Sequence, residues 1–318
     1  MKTAGIVRIV VGLAVAAALT FVLVWVLKGN TMFVTGRNGF SIQSDGAVQT
    51  HGEAAVAEGQ GKAGSGTAKA SVRALDIEWV AGSVTVQTGD TDAILYEESC
   101  GKPLSDSQKM LVTEQDGKLK IRYTAKTLGV LDAVNLPAKA LVVTVPRNMT
   151  LEELDVESTS ADVFVTGAVA RDVELDATSG RIEATDVTGV DALDVSTVSG
   201  AISLTACSAG KLDIETTSGT IDSRCDAGKI DASSVSGAIR LTVTAIPAEL
   251  AAEAVSGRIE LKLPETEGGF TARIDTVSGG VRCGIPAVQD GARLIAGDGD
   301  AAFRFSTVSG DIRLEKAE

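Results

Sequence analysis

Two regimes of apolar spacing divide the chain. From Ile9 to Leu27 the residues are almost without interruption Ile, Val, Leu, Ala, Phe and Trp. About 19 helical residues at ~1.5 Å each reach ~29 Å, the hydrocarbon thickness of a bilayer. That length predicts a transmembrane helix over about residues 6–28. A cleaved signal peptide carries an apolar stretch of only about 7–15 residues. Here the run passes the small residues Ala16, Ala17 and Ala18 and continues through Phe21, Leu23 and Trp25, so an uncleaved anchor over 1–29 is expected. From about Ala70 onward the spacing changes: apolar and polar residues alternate in short runs broken by Ser and Gly, the period of a half-buried strand.

These runs repeat. A block legible as Leu-Asp-Ile/Val-x-Thr-x-Ser-Gly-x-Ile-x-Leu recurs about every 18 to 22 residues, a spacing that marks stacked supersecondary units. Its Ser-Gly step falls at Ser179-Gly180, Ser199-Gly200, Ser218-Gly219, Ser236-Gly237, Ser256-Gly257, Ser278-Gly279 and Ser309-Gly310, with weaker copies at Ala81-Gly82 and Ser160-Ala161. Aligned on that step, the apolar columns include Leu75, Leu154, Val173, Leu193, Leu212, Ile230 and Leu250 before it, and Val84, Val163, Ile182, Ile202, Ile221, Ile239, Ile259, Val281 and Ile312 after it. Two strands per block therefore share one core. Such a block cannot bury its apolar face alone, so successive coils must stack ~4.8 Å apart.

The expected fold is all-β: a β-solenoid of roughly 20-residue coils over 71–318. Gly180, Gly200, Gly219, Gly237, Gly257, Gly279 and Gly310 read as coil corners needing either φ > 0 or a close backbone approach. The serines before them read as an inward ladder of hydroxyls rather than nucleophiles, because no histidine stands near them. The wider gap from Gly279 to Gly310 reads as an inserted loop. Residues 93–147 fit the repeat poorly and are expected to be an irregular elaboration capping the stack, with a hairpin flanking the polar turn from Glu114 to Lys118. Residues 30–70 lack any packing period and read as a flexible Gly/Ala-rich tether; His51, the only histidine, lies in it.

Charge narrows the partners. A formal net charge of −13 argues against nucleic acid, which needs a basic face. Lys2, Arg8 and the amino terminus on one side of the anchor, against Lys28 and Arg37 on the other, favour a cytoplasmic N-terminus and an extracytoplasmic repeat domain in a single-pass cell-membrane protein. Cys100, Cys207, Cys225 and Cys283 are too sparse for a disulfide framework and read as small buried hydrophobes. Cys207 and Cys225 lie about one repeat apart, which leaves one disulfide open.

Five residues before the serine an outward column runs Asp76, Asp155, Glu174, Asp194, Asp213, Asp231, then Ala251, Arg273 and Arg304. Stacked like charges repel unless solvated, paired or bridged by cations. Asp155, Asp194, Asp213 and Asp231 are thus a candidate cation ladder, calcium being the ligand that carboxylates suit, against the alternative of a plain solvated face. Val198, Val235, Val255, Val277 and Val308 form an outward apolar stripe that is either a partner surface or covered by another segment.

The stretch Leu75-Asp-Ile-Glu-Trp-Val-Ala-Gly-Ser-Val-Thr-Val86, the Leu104-Ser-Asp-Ser-Gln-Lys-Met110 segment, Leu136-Pro, Val145-Pro and the run of Val-Ser-Gly blocks resemble the bacterial putative-adhesin family of β-strand-repeat domains of unknown function. The resemblance covers nearly everything from Ala70 onward. It implies a right-handed β-helix-like solenoid outside a bacterial cell and carries over no catalytic or binding residues; the long tether departs from simpler members. The expected function is a non-enzymatic surface module, adhesin-like or envelope-binding, without cofactor. One alternative is a membrane-anchored regulatory or self-assembling component of an envelope-stress system. Another is a polysaccharide-active β-helix enzyme, which needs a localised pair of carboxylates where this sequence spreads them along columns.

Overall fold

Period-two alternation turns into strands wherever an apolar side chain can be laid on the same column of the preceding coil. In a computed structural model of the chain, the described residues are 60–62, 64–124, 136–167, 170–265, 268–291 and 293–317. The expected anchor, most of the tether and His51 lie outside them. The described residues contain β1 (Gln60–Lys62), β2 (Ser65–Thr67), β3 (Ala74–Gly89), β4 (Leu95–Cys100), β5 (Leu111–Gln115), β6 (Lys118–Arg122), β7 (Lys139–Pro146), β8 (Leu151–Thr166), β9 (Ala170–Ala177), β10 (Ile182–Thr185) and β11 (Val190–Thr197). They continue with β12 (Ile202–Ser218), β13 (Ile221–Ser236), β14 (Ile239–Thr242), β15 (Glu249–Ser256), β16 (Ile259–Leu263), β17 (Phe270–Ser278), β18 (Val281–Cys283), β19 (Val288–Asp290), β20 (Arg293–Ala296), β21 (Ala301–Ser309) and β22 (Ile312–Lys316). All belong to one sheet that winds as a β-solenoid. The inward columns are its core: Leu75, Leu154, Leu193, Ile214, Ile239 and Ile312 are each at most 1 % exposed.

Coils follow sequence order only in the middle of the stack. From β8 through β9–β10, β11, β12, β13 and β15–β16, each strand pairs in parallel with the same column of the next coil. At the N-terminal end β3 is not outermost. It pairs with β8 on one side and with β6 and β7 on the other. At the C-terminal end the last coil in sequence, β21–β22, lies between β15–β16 and β17–β18. The first and last coils are thus clamped between parallel neighbours, so neither can fray without opening an adjoining coil.

Several expectations are corrected by this arrangement. The described part of 93–147 holds regular strands: β6 and β7 stack on the two halves of β3, while β5 and β4 pair antiparallel with them and carry β1 and β2. The hairpin expected there is β5–β6. The gap between Gly279 and Gly310 holds the antiparallel hairpin β19–β20, which pairs with Phe270–Arg273 of β17. The step serines do not point inward; Ser179, Ser199, Ser218, Ser236, Ser256 and Ser309 are exposed. The buried hydroxyls stand two places earlier, at Ser158, Thr197, Thr216, Ser234 and Thr307, because the corner breaks the alternation. There Ser158 Oγ donates to Ala161 O at 2.8 Å and accepts from Ala161 N at 2.9 Å.

The corner glycines are needed for contact rather than for handed backbone. None of the seven has positive φ. Instead, a Cβ on Gly237 would stand 1.7 Å from Gly219 O, one on Gly310 1.9 Å from Gly257 O, and one on Gly279 1.9 Å from Gly310 O. Glycine therefore sits on glycine down the stack, in the same swapped order as the strands. Of the cysteines, only Cys207 and Cys225 are buried, and all four are free thiols. Hydrogen bonding to Cys225 and burial hold the Cys207 thiol well above its usual range.

One buried polar cluster had no signal in the repeat. Lys139 Nζ and Glu98 Oε1 lie 2.8 Å apart with both side chains fully buried. Lys139 Nζ also donates to Thr124 O at 2.8 Å and to Gln108 O, and sits 4.2 Å from the Tyr123 ring centroid. Glu98 Oε2 accepts from Met110 N at 2.9 Å, and Trp79 Nε1 donates to Lys139 O at 3.2 Å. Burial, with Cys100 and Glu98 adding, pushes the Tyr123 phenol up to about 12. The cluster ties β3, β4, β7 and the segment after β6 into one end of the stack.

Candidate functional site: a carboxylate face

Parallel in-register stacking converts the outward acidic column into a physical row. Asp76, Asp155, Glu174, Asp194, Asp213 and Asp231 are successive lateral neighbours, followed in space by Ala251, Arg304 and Arg273. The basic end is reached in the order Arg304 then Arg273, the reverse of the sequence. Beyond Asp76 the row ends on Lys120 of β6, whose Nζ lies 3.0 Å from Asp76 Oδ2. A second row, two residues along each strand, runs Arg122, Glu78, Glu157, Asp176, Ser196, Glu215, Ser233, Glu253, Ser306 and Asp275.

Ser196 and Ser233 interrupt the second row beside Asp194 and Asp231, which relieves like-charge repulsion between neighbouring coils there. Ser196 Oγ donates to Asp176 Oδ1. Cations close the rows at their ends and edges: Arg122 Nε lies 2.9 Å from Glu78 Oε2, Arg304 Nε 3.7 Å from Glu253 Oε1, and Lys211 pairs with Asp213. The middle of the face is net acidic.

The proton affinities follow. Burial first, and then Asp176 on its own strand with Asp194 of the next coil, hold Glu174 above the ordinary carboxylate range; burial, then Asp231 of the next coil and Asp213 on its own strand, do the same to Glu215. Asp231 is raised by burial and Asp213, partly countered by Lys229, Lys211 and Arg304. Asp194 is raised by burial and by Asp213, and Asp176 by burial, against the Ser196 hydrogen bond. Glu78 goes the other way, because Lys120 and Arg122 outweigh its burial.

A raised carboxyl pKa means that the folded chain binds protons more tightly than the unfolded one, so stability falls as pH rises through that window. The penalty is fully present above the raised folded-state values and is relieved as pH drops toward about 4, the unfolded carboxylate value. At low ionic strength the melting temperature is therefore expected to rise by a few degrees between pH 7 and pH 5, and added salt at pH 7 is expected to raise it too. A melting temperature that falls over that range on calorimetry contradicts the repulsive face.

Asp155, Asp194, Asp213 and Asp231 are thus brought into one row, but each coil contributes one first-row carboxylate at a fixed lateral spacing. Among the described residues no three His, Cys, Asp or Glu side chains are disposed to hold a metal ion. A row of this kind suits an extended cationic or hydrogen-bond-donating surface better than a chelated ion. The valine stripe is half-buried at Val198, Val235, Val255 and Val308 and opens only at Val277, 59 % exposed. Sequence spacing identified the first acidic row; the end-capping roles of Lys120 and Arg122 were not legible, because β6 lies outside the repeat.

No curated protein matches the chain. Among solved structures, a putative adhesin from Bacteroides fragilis is 12 % identical with a TM-score of 0.43, covering 80 % of this chain and 97 % of its own. A putative lipid binding protein from Parabacteroides distasonis is 17 % identical, with a TM-score of 0.43 over 82 % of this chain and 98 % of its own. A putative adhesin from the same organism is 16 % identical, with a TM-score of 0.41 over 80 % and 97 %. Residues 72–315 match the family described as Toastrack DUF4097, and the chain belongs to that family.

Proposed function

We propose that the chain is a non-enzymatic surface module, tethered through residues 1–29 with its N-terminus cytoplasmic, that presents the carboxylate face outside the membrane to an envelope component. The observation that carries this reading is the continuity of the acidic row across six coils, from Asp76 to Asp231. Contacts repeated at every coil give affinity by addition. A catalytic pair would instead gather its carboxylates at one place, about 5–9.5 Å apart and flanking a substrate bond. Acidic rows recognise cationic or donor-rich surfaces through steering and many weak contacts.

The test is co-sedimentation of the full-length chain in nanodiscs with isolated cell-envelope fractions, at low and high salt, with and without calcium. Saturable pelleting at low salt that weakens at high salt and does not need calcium is expected. Absence of pelleting under every condition overturns envelope binding, and loss on chelation alone transfers the role to a bridging metal.

A further inference from the structure

Two thiols meet in the middle of the stack. Midway along β12 and β13, Thr205 pairs with Arg224 and Ser208 with Asp226, so Ala206 and Cys207 together face the single residue Cys225. Ala206 turns this corner at φ 55°, as Asp186 does at φ 57° one coil earlier. The residue after each turn points inward again, and the corner column reads Val187, Cys207, Cys225, Val243 and Leu263, each at most 4 % exposed. Cysteine thus replaces an aliphatic residue at two successive levels of one column. The other two cysteines are far apart, Cys100 on β4 at one end of the stack and Cys283 on β18 at the other. Lateral neighbours on adjoining strands lie ~4.8 Å apart, within the roughly 4.4–6.8 Å that a disulfide spans between Cα atoms. Both side chains leave the same face of the sheet, and the two thiols hydrogen-bond to each other.

We infer that Cys207 and Cys225 close as a disulfide that staples β12 to β13 when the chain meets a disulfide oxidant. The staple rests on the repeat domain lying outside the membrane, where such oxidants are met, and not on what the carboxylate face binds. The hydrogen bond with Cys207 holds the Cys225 thiol below its usual range in spite of burial, so Cys225 is the sulfur that ionises first. Its thiolate attacks one sulfur of glutathione disulfide and expels one glutathione thiolate. The Cys207 thiolate then attacks the Cys225 sulfur of the mixed disulfide and expels the second. Two electrons pass to the oxidant, and the two thiol protons end on two reduced glutathione molecules. Neither thiol is open to solvent in the closed stack, so the bond forms while the chain folds or while β12 and β13 are parted. Once formed, it ties together the coils that carry Asp213 and Asp231 of the carboxylate face.

The experiment refolds the full-length chain from urea in detergent micelles, with reductant or with glutathione disulfide, and blocks the remaining thiols with N-ethylmaleimide before digestion. Trypsin, cutting after Arg181, Lys211, Arg224 and Lys229, leaves Cys207 in peptide 182–211 and Cys225 in peptide 225–229. The oxidised chain is expected to yield these two peptides joined and lighter than their sum by two hydrogens, and to melt roughly 5–10 °C above the reduced chain. Cys207→Val with Cys225→Val, a side chain the column already takes at Val187 and Val243, is expected to fold and to melt alike in both conditions. Unjoined peptides, or a wild type that melts no higher oxidised than reduced, overturn the staple. The same mapping is applied to full-length chain taken from cells with thiols blocked at lysis. A bond that forms on refolding but is absent from the cells upholds the pairing and overturns the placement outside the membrane.

Discussion

Gly237→Ala is expected to destabilise the chain by about 3 kcal/mol, read as a lower urea midpoint. The added methyl stands 1.7 Å from Gly219 O. Neither atom belongs to a side chain that can rotate away, so two coils must separate where they hydrogen-bond. Replacing glycine by alanine also restricts the unfolded chain, which alone stabilises by ~0.4–1 kcal/mol, too little to offset the clash. Gly64→Ala provides the control: its Cβ meets nothing within 4 Å and its φ is not positive, so its midpoint should stay within about 0.5 kcal/mol of the wild type. Equal effects at the two positions would mean that the coils are not packed glycine on glycine.

Lys139→Met is expected to cost about 3–5 kcal/mol. It leaves the fully buried Glu98 carboxyl without its cation and strips a donor from Gln108 O and Thr124 O. The pair itself need not be stabilising, since desolvating two ions offsets much of their attraction. Lys139→Met with Glu98→Leu should therefore recover part of the loss, although Met110 N then loses its acceptor. Urea unfolding of the two variants checks this. A single-variant loss under about 1 kcal/mol would show that water reaches the site.

Spacing alone made the core legible. Leu154, Leu193 and Ile239 could be placed inward because a strand repeats every two residues and a coil every twenty or so, and both periods are written in the chain. The first acidic row was legible for the same reason. Neighbour order at the ends was not: spacing along the chain carries no record of which coil lies beside which, so β21 between β15 and β17 follows only from the pairing of Arg304 with both Ala251 and Arg273. The step serines were misplaced because parity was carried straight through a corner that resets it. Cys283 was read, like the other cysteines, as a small buried hydrophobe; it is exposed, because among the described residues β18 has a strand neighbour on one side, β22, and none on the other. Glu98 and Lys139 meet across 41 positions in strands with no repeat signature, and nothing local marks them as partners.

Recognition spread along the carboxylate face is tested most directly by neutralising that face in steps. Asp155→Asn, Asp194→Asn, Asp213→Asn and Asp231→Asn would be made singly and together, and saturable binding of the full-length chain to envelope fractions compared at low salt. Addition of weak contacts predicts a loss of roughly two- to fivefold for each single change, on the order of 0.5–1 kcal/mol apiece, and near-complete loss for all four. Undiminished binding by the quadruple variant, or abolition by any one substitution, would contradict it.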